Sequence, residues 1–125
     1  MALILDTHIV LWWKLGDTRL GPDIQDKLLA EADSLFISVA SVWEGEIKRA
    51  NGKMPPGAVL PEAIVDLGIK CLPIVESDAV RAAALPLHHR DPFDRMIIAH
   101  ALNHRMTLVS HDRIFGQYAV PILWV

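Results

Sequence analysis

Short apolar runs alternate along this chain with longer segments of helical periodicity. Ala2–Leu5 is a continuous apolar run ending at Asp6, which predicts a buried strand. Thr7–Leu15 follows as a helix with Ile9, Val10 and Trp13 on one face, and Gly16-Asp17 ends it. Pro22 suits the first turn of a second helix, in which Ile24, Leu28, Leu29 and Ala32 recur at helical spacing. Leu35–Ser38 predicts a second strand. Val39–Ala50 predicts a third helix with Val42, Trp43 and Ile47 facing inward, stopped by Asn51-Gly52. Lys53–Leu60 contains Met54-Pro55-Pro56-Gly57 and is a loop. Pro61–Ile69 is a helix and Cys71–Val75 a strand. Ser77–Leu85 is an Ala-rich helix with Ser77 as N-cap and Asp78 behind it. After a linker at Leu87–Arg90, Pro92–Arg105 is the clearest helix. Asp91 is its N-cap, Pro92 is N1, and Phe93, Met96, Ile97, Ala99 and Leu102 are on the core side. Thr107–Ser110 is a strand, Arg113–Tyr118 a short helix and Pro121–Val125 a final strand.

This alternation predicts an α/β domain whose parallel sheet is covered on both faces. The chain has 125 residues, which suits a single domain over residues 1–125. Apolar residues make up 52% and charged residues 22%, a balance that excludes intrinsic disorder. No apolar run is long enough to span a bilayer, so no membrane role is expected. The apolar N-terminus carries Asp6 and His8 and lacks a basic leader, so it does not read as a signal peptide. The single cysteine, Cys71, excludes a disulfide framework and a cysteine-based zinc site, and a cytoplasmic location follows as the expectation.

The candidate chemistry is in the acids. In open α/β sheets the functional crevice lies beyond the carboxyl ends of the strands. Asp6 ends the first strand and Asp112 follows the Thr107–Ser110 strand. Glu44 lies in the helix after the second strand, and Asp94 is in the first turn of the longest helix. Capping or surface solvation would explain any one of them singly. Convergence of all four on one edge would instead require a cation to offset their repulsion, and hard carboxylate oxygens point to Mg2+ or Mn2+.

The segments LILDTHIVLWW, SVASVWEGEIKRANGKM, LPLHHRDPFDRMIIAHAL and TLVSHDRIFGQYAVPILW resemble the PIN-domain ribonucleases, and more narrowly the VapC-type toxins of bacterial toxin–antitoxin pairs. The likeness covers nearly the whole chain. Its specific part is the DPFDR block followed by the SHD block. It implies a PIN-like α/β/α sandwich with a central, mainly parallel sheet of about five short strands. It also implies that Asp6, Glu44, Asp94 and Asp112 form a catalytic, metal-holding acidic quartet, with Thr7 and Ser110 as supporting hydroxyls. Ser110 stands where the family often has Thr, which keeps the hydroxyl. The implied activity is endoribonuclease cleavage with Mg2+ or Mn2+, leaving a 5′-phosphate and a 3′-hydroxyl. The implied partners are RNA, a cognate antitoxin protein and a second copy in a homodimer.

A net charge of −3 does not suggest a protein that coats nucleic acid, yet an RNA substrate must still be held. Lys48, at i+4 from Glu44, and Arg95, beside Asp94, are the candidate phosphate contacts. For Lys48 the bland alternative is a helix-surface ion pair. Glu46 lies about 200° around the helix from Glu44 and is left out of the site. His100 and His104 have i, i+4 spacing but lack the Glu of a zinc helix, and His88, His89 and His111 read as loop residues. One of Trp12 and Trp13 must be core, while the other could stack on bases. A phosphatase with Asp6 as nucleophile is disfavoured because His8 occupies the place of a second Asp, and the chain has no Walker A or GxGxxG motif. The rival from another class is a catalytically silent PIN-fold module that binds RNA or an antitoxin, against which the intact quartet argues.

Overall fold

Five short strands set the frame: β1 (Leu3–Leu5), β2 (Leu35–Ser38), β3 (Lys70–Leu72), β4 (Thr107–Ser110) and β5 (Ile122–Trp124). In the computed structural model, which describes all 125 residues, they form one parallel sheet of order β3-β2-β1-β4-β5. The chain leaves β1 for β2 on one side and later returns to β4 on the other, so β1 is central and the order reverses there. Six helices connect the strands: α1 (Thr7–Leu15), α2 (Pro22–Ala30), α3 (Val39–Ala50), α4 (Leu60–Leu67), α5 (Glu76–Ala84) and α6 (Pro92–His104). Short 3-10 turns at Ala32–Ser34 and Arg113–Gln117 complete the chain.

The two-residue period of β1 divides the core. Leu3 and Leu5 pack with Ile9, Val10 and Trp12 of α1, Leu28 of α2 and Ala63 of α4. Ile4 points the other way, onto Ile97, Ile98 and Ala101 of α6 and onto Phe115 and Tyr118. A smaller cluster of Ala40, Ala82, Met96 and Ala99 joins α3, α5 and α6. Each fully buried Leu or Ile contributes roughly 1.5–3 kcal/mol, which explains why strands of three or four residues suffice when both faces are covered. Gly45 lies where α3 meets α4, and a Cβ there would run into Leu60.

Local signals are realised at most element ends. Gly16 ends α1 at φ 67°, Pro22 opens α2, and the Asp91 carboxylate accepts from Phe93 N at 2.8 Å to cap α6. Three expectations need correction. Trp43 and Ile47 do not face inward but are 63% and 40% exposed, because the inner face of α3 is made of Ala40, Ser41, Glu44 and Gly45. Strand β3 is only Lys70–Leu72, since its partner β2 ends at Ser38 and offers no ladder beyond Leu72. Helix α5 starts at Glu76 rather than after a Ser77 cap, because Asp78 reaches back to accept from Val75 N at 3.1 Å.

Arg95 was a candidate phosphate contact, and the fold assigns it elsewhere. It is 8% exposed, and its guanidinium turns away from solvent onto backbone carbonyls. Nη2 donates to Ala82 and Leu85 at 2.8 Å and Nη1 to Pro86 and His89 at 3.0 Å. These are carbonyls at the end of α5 and in the following loop, of which Pro86 O also accepts from Tyr118 Oη. Replacing Arg95 by Met should therefore lower stability by on the order of 3 kcal/mol, measured by urea unfolding, since several buried carbonyls lose a charged donor together. A surface arginine would cost a few tenths of that.

Candidate metal and nucleic-acid site

The carboxyl ends of β1 and β4 are adjacent, and each carries a hydroxyl–carboxylate pairing. The Asp6 N–H extends the sheet by donating to Val109 O at 3.0 Å, which turns its side chain into the crevice. Ser110, fully buried at the end of β4, donates its hydroxyl to Asp6 Oδ2 at 2.8 Å and accepts from Asp112 N at 3.0 Å. One hydroxyl thus ties the two acids from the two central strands. Thr7 donates to Glu44 Oε1 at 3.3 Å, which draws α3 toward the start of α1. The expected hydroxyl positions and acids therefore meet in pairs, Ser110 with Asp6 and Thr7 with Glu44.

All four acids line one cavity of about 390 Å3, together with Asp91, His8, Trp12, Arg19, Lys48 and His111. The remaining functional groups fall on its rim. Lys48 Nζ is 3.7 Å from Glu44 Oε2, so the lysine shares the crevice face and also forms the ion pair. Glu46 is paired with Arg49 outside the site. Trp12 is the tryptophan of the pair that reaches the core, and its indole also borders the cavity, under the Arg19 guanidinium at 4.5 Å. His100 is buried away from the crevice, where its Nε2 lies 3.2 Å from both Asp78 Oδ2 and Pro73 O.

His89 is the residue that pattern reading missed. Its Nε2 lies 2.9 Å from Asp94 Oδ2 and 3.3 Å from Asp112 Oδ2, and the three groups form a tight cluster. The available signal was its place two residues before the Asp91 cap, in the loop that delivers Asp94.

The electrostatics follow from burial without neutralisation. Burial raises the carboxyl of Asp6, and burial also raises Glu44 against the opposing pull of Lys48. Asp94 is pushed up to about 8, by burial first and then by the facing charges of Asp6, Asp91, Glu44 and Asp112. No lysine or arginine pairs with Asp6 or Asp94, so the crevice holds more negative charge than its own cations offset. The donor set is oxygen-rich and hard, which fits a divalent cation of the Mg2+ or Mn2+ kind.

A fully parallel sheet with this order and an acidic crevice at the carboxyl ends of β1 and β4 defines the class. A family model for the PIN domain matches residues 3–121, and the chain belongs to the PIN domain family. Within it, the chain is 30% identical over 125 residues to Ribonuclease VapC22 of Mycobacterium tuberculosis, a match that covers 96% of this chain and 94% of that one. VapBC2 from Rickettsia felis, solved bound to a DNA fragment from their promoter, superposes with a TM-score of 0.70 at 16% identity, covering 98% of each chain. VapBC-5 from Mycobacterium tuberculosis gives 0.62 at 18% identity over 100% of both chains. At those identities the superpositions establish the fold.

The raised Asp94 carboxyl has a stability consequence. The unfolded chain ionises Asp94 near 3.8, whereas the metal-free fold keeps its proton up to about 8. The folded state binds the extra proton between those values, so stability falls as pH rises through that window and levels off above it. Thermal melts in EDTA should show a lower melting temperature at about pH 8 than at about pH 5. Asp94→Asn should flatten that slope and raise the value at about pH 8. An unchanged slope in the variant would assign the effect to other groups.

Proposed function

We propose that the chain is a metal-dependent endoribonuclease acting, as a single domain, as the toxin of a toxin–antitoxin pair. The observation that carries this reading is the meeting of Asp6, Glu44, Asp94 and Asp112 in one under-neutralised crevice at the carboxyl edge of the sheet. The 30% identity to a ribonuclease over nearly the whole chain supports the reaction class. The likeness to chains solved in VapBC complexes supports an antitoxin partner. Trp43 and Ile47 leave an apolar face on α3, which suits a protein partner, be it the antitoxin or a second copy in a homodimer. No helix is long and apolar enough to cross a membrane, and both RNA and antitoxin would be met in the cytoplasm.

In this mechanism Asp6, Asp94, Asp112 and Glu44 are the residues that would hold Mg2+ or Mn2+. When bound, the ion supplies acidification of water and neutralisation of charge at the scissile phosphate. The chain's own groups do the placing. Ser110 fixes the rotamer of Asp6 through its 2.8 Å hydrogen bond, and Thr7 does the same for Glu44. Asp94, whose carboxyl is raised to about 8, would have to give up its proton to serve in that set. Lys48, on the rim, binds a phosphate oxygen of the RNA backbone and exchanges its pairing with Glu44 for that contact. Sheet and helix walls hold these groups in place before substrate arrives, so little reorganisation is left for the reaction.

The test is cleavage of total bacterial RNA by antitoxin-free protein with Mg2+ or Mn2+. Asp6→Asn and Asp94→Asn should each lower the rate by more than about 100-fold, and EDTA should abolish it. Lys48→Ala should weaken RNA binding and lower the salt-dependence slope by roughly 0.7–1. Cleavage that survives both acid substitutions would remove the proposed site. No cleavage with either metal by folded protein would leave a binding module instead.

A further inference from the structure

The group that faces Asp94 and Asp112 from the α5–α6 loop is an imidazole. His89 is held from every side. Its backbone N–H donates to Tyr118 Oη at 2.7 Å, and its carbonyl accepts from Arg95 Nη1 at 3.0 Å. Its ring packs on Phe115 with centroids 5.5 Å apart, and the side chain is only 12% exposed. Tyr118 is itself anchored to Pro86 O at 2.7 Å. This much fixation exceeds what a solvated loop histidine needs.

The hydrogen bonds also set its tautomer. Nδ1 accepts from Asp91 N at 3.3 Å, which leaves the hydrogen on Nε2. That Nε2–H donates to Asp112 Oδ2 at 3.3 Å, and Asp94 Oδ2 lies 2.9 Å from the same nitrogen. Asp112 Oδ1 is occupied by Ile114 N at 3.0 Å, so Oδ2 is the oxygen Asp112 has left for the crevice. The imidazole edge thus sits against one oxygen of each acid and bridges two side chains that would otherwise repel and splay.

We infer that His89 is a positioning residue of the nuclease site: its Nε2 edge, hydrogen-bonded to Asp112 and in contact with Asp94, holds the two acids together so that both present oxygens to one cation. This rests on the metal-dependent reading above and extends it to a residue on the α5–α6 loop. His89 then acts as an outer partner of the ligand carboxylates, the kind of contact whose loss lowers metal affinity roughly 10–100-fold. Arg95 and Tyr118 act one step further out by fixing the loop that carries it.

The experiment is titration of the metal-free full chain with Mn2+, followed by calorimetry and by pulsed electron paramagnetic resonance, with thermal melts as a check on folding. His89→Leu removes the donor, and His89→Gln keeps an N–H near the Nε2 position. The expected result is a loss of Mn2+ affinity of roughly 10-fold or more in His89→Leu, recovery of most of it in His89→Gln, and no imidazole nitrogen coupling to Mn2+ in the wild type. A role confined to loop stability would lower melting temperatures in both variants without that recovery, and would overturn the inference. Nitrogen coupling in the wild type that vanishes in His89→Leu would also overturn it, by making His89 a direct ligand. Wild-type affinity in His89→Leu would do the same. Failure of the wild type itself to bind Mn2+ would instead overturn the metal-dependent reading, and this inference with it.

Discussion

Repulsion between like charges at one sheet edge is the constraint around which this structure is organised. Two unit charges ~4 Å apart interact by on the order of 4 kcal/mol at an effective dielectric of about 20. The crevice assembles Asp6, Glu44, Asp91, Asp94 and Asp112 with only Lys48 and Arg19 as cations beside them. That arrangement costs free energy in the absence of a cation, and burial together with the facing charges raises the carboxyls of Asp6, Glu44 and Asp94, the last to about 8. The acids persist in close quarters because the surrounding backbone gives them no alternative. Asp6 is tied into the sheet, Asp94 sits in the first turn of a buried helix, and Asp112 caps the turn at Ile114.

Rigidity of the walls is therefore a condition of the site. The parallel sheet supplies it at β1 and β4, where both faces are covered and Ile4, Leu5, Leu108 and Val109 are fully buried. The α5–α6 loop has no such ladder. Arg95 takes over that function by gathering carbonyls from Ala82 to His89, and Tyr118 closes the other side. A charged residue next to a nuclease acid would ordinarily be read as a phosphate contact. Here its fixed planar fork serves geometry better than charge, since five donors can satisfy several carbonyls together.

Much of the fold was legible because its signals are local. Gly16, Pro22 and the Asp91-Pro92 pair act on the backbone beside them, and the apolar runs are short enough to be strands and uninterrupted enough to be buried. Asp6, Asp94 and Asp112 could be placed on one edge because a strand end and a helix start are predictable addresses, and Glu44 follows from them as a residue in the second turn of the helix after β2. The misread positions share a different property. Trp43 and Ile47 recur at helical spacing, but periodicity does not say which apolar stripe the rest of the chain covers. The burial of Arg95 depends on where α5 ends, since its partner carbonyl at Ala82 is thirteen residues away in sequence. His89 enters the crevice through contacts with Tyr118 and Arg95, and loop residues have no period from which such an orientation could be read.

The same charge balance bears on how a polyanion could approach. A chain of net charge −3 repels RNA at long range, although salt screens that field beyond roughly 10 Å. Attraction must then be built at close range. Lys48 lines the acidic cavity, and Lys53 joins it with Arg19 along the neighbouring groove beside Met54 and Trp12. Arg19 is already paired with Asp17 and lies over Trp12, so it offers a fixed cation with an aromatic beneath it. A cation held by the acids would lower the negative charge that an approaching phosphate meets at the sheet edge. Cation binding and RNA binding are in this way one electrostatic problem, and the acids that make the site costly in isolation are the same groups that make it selective for a filled state.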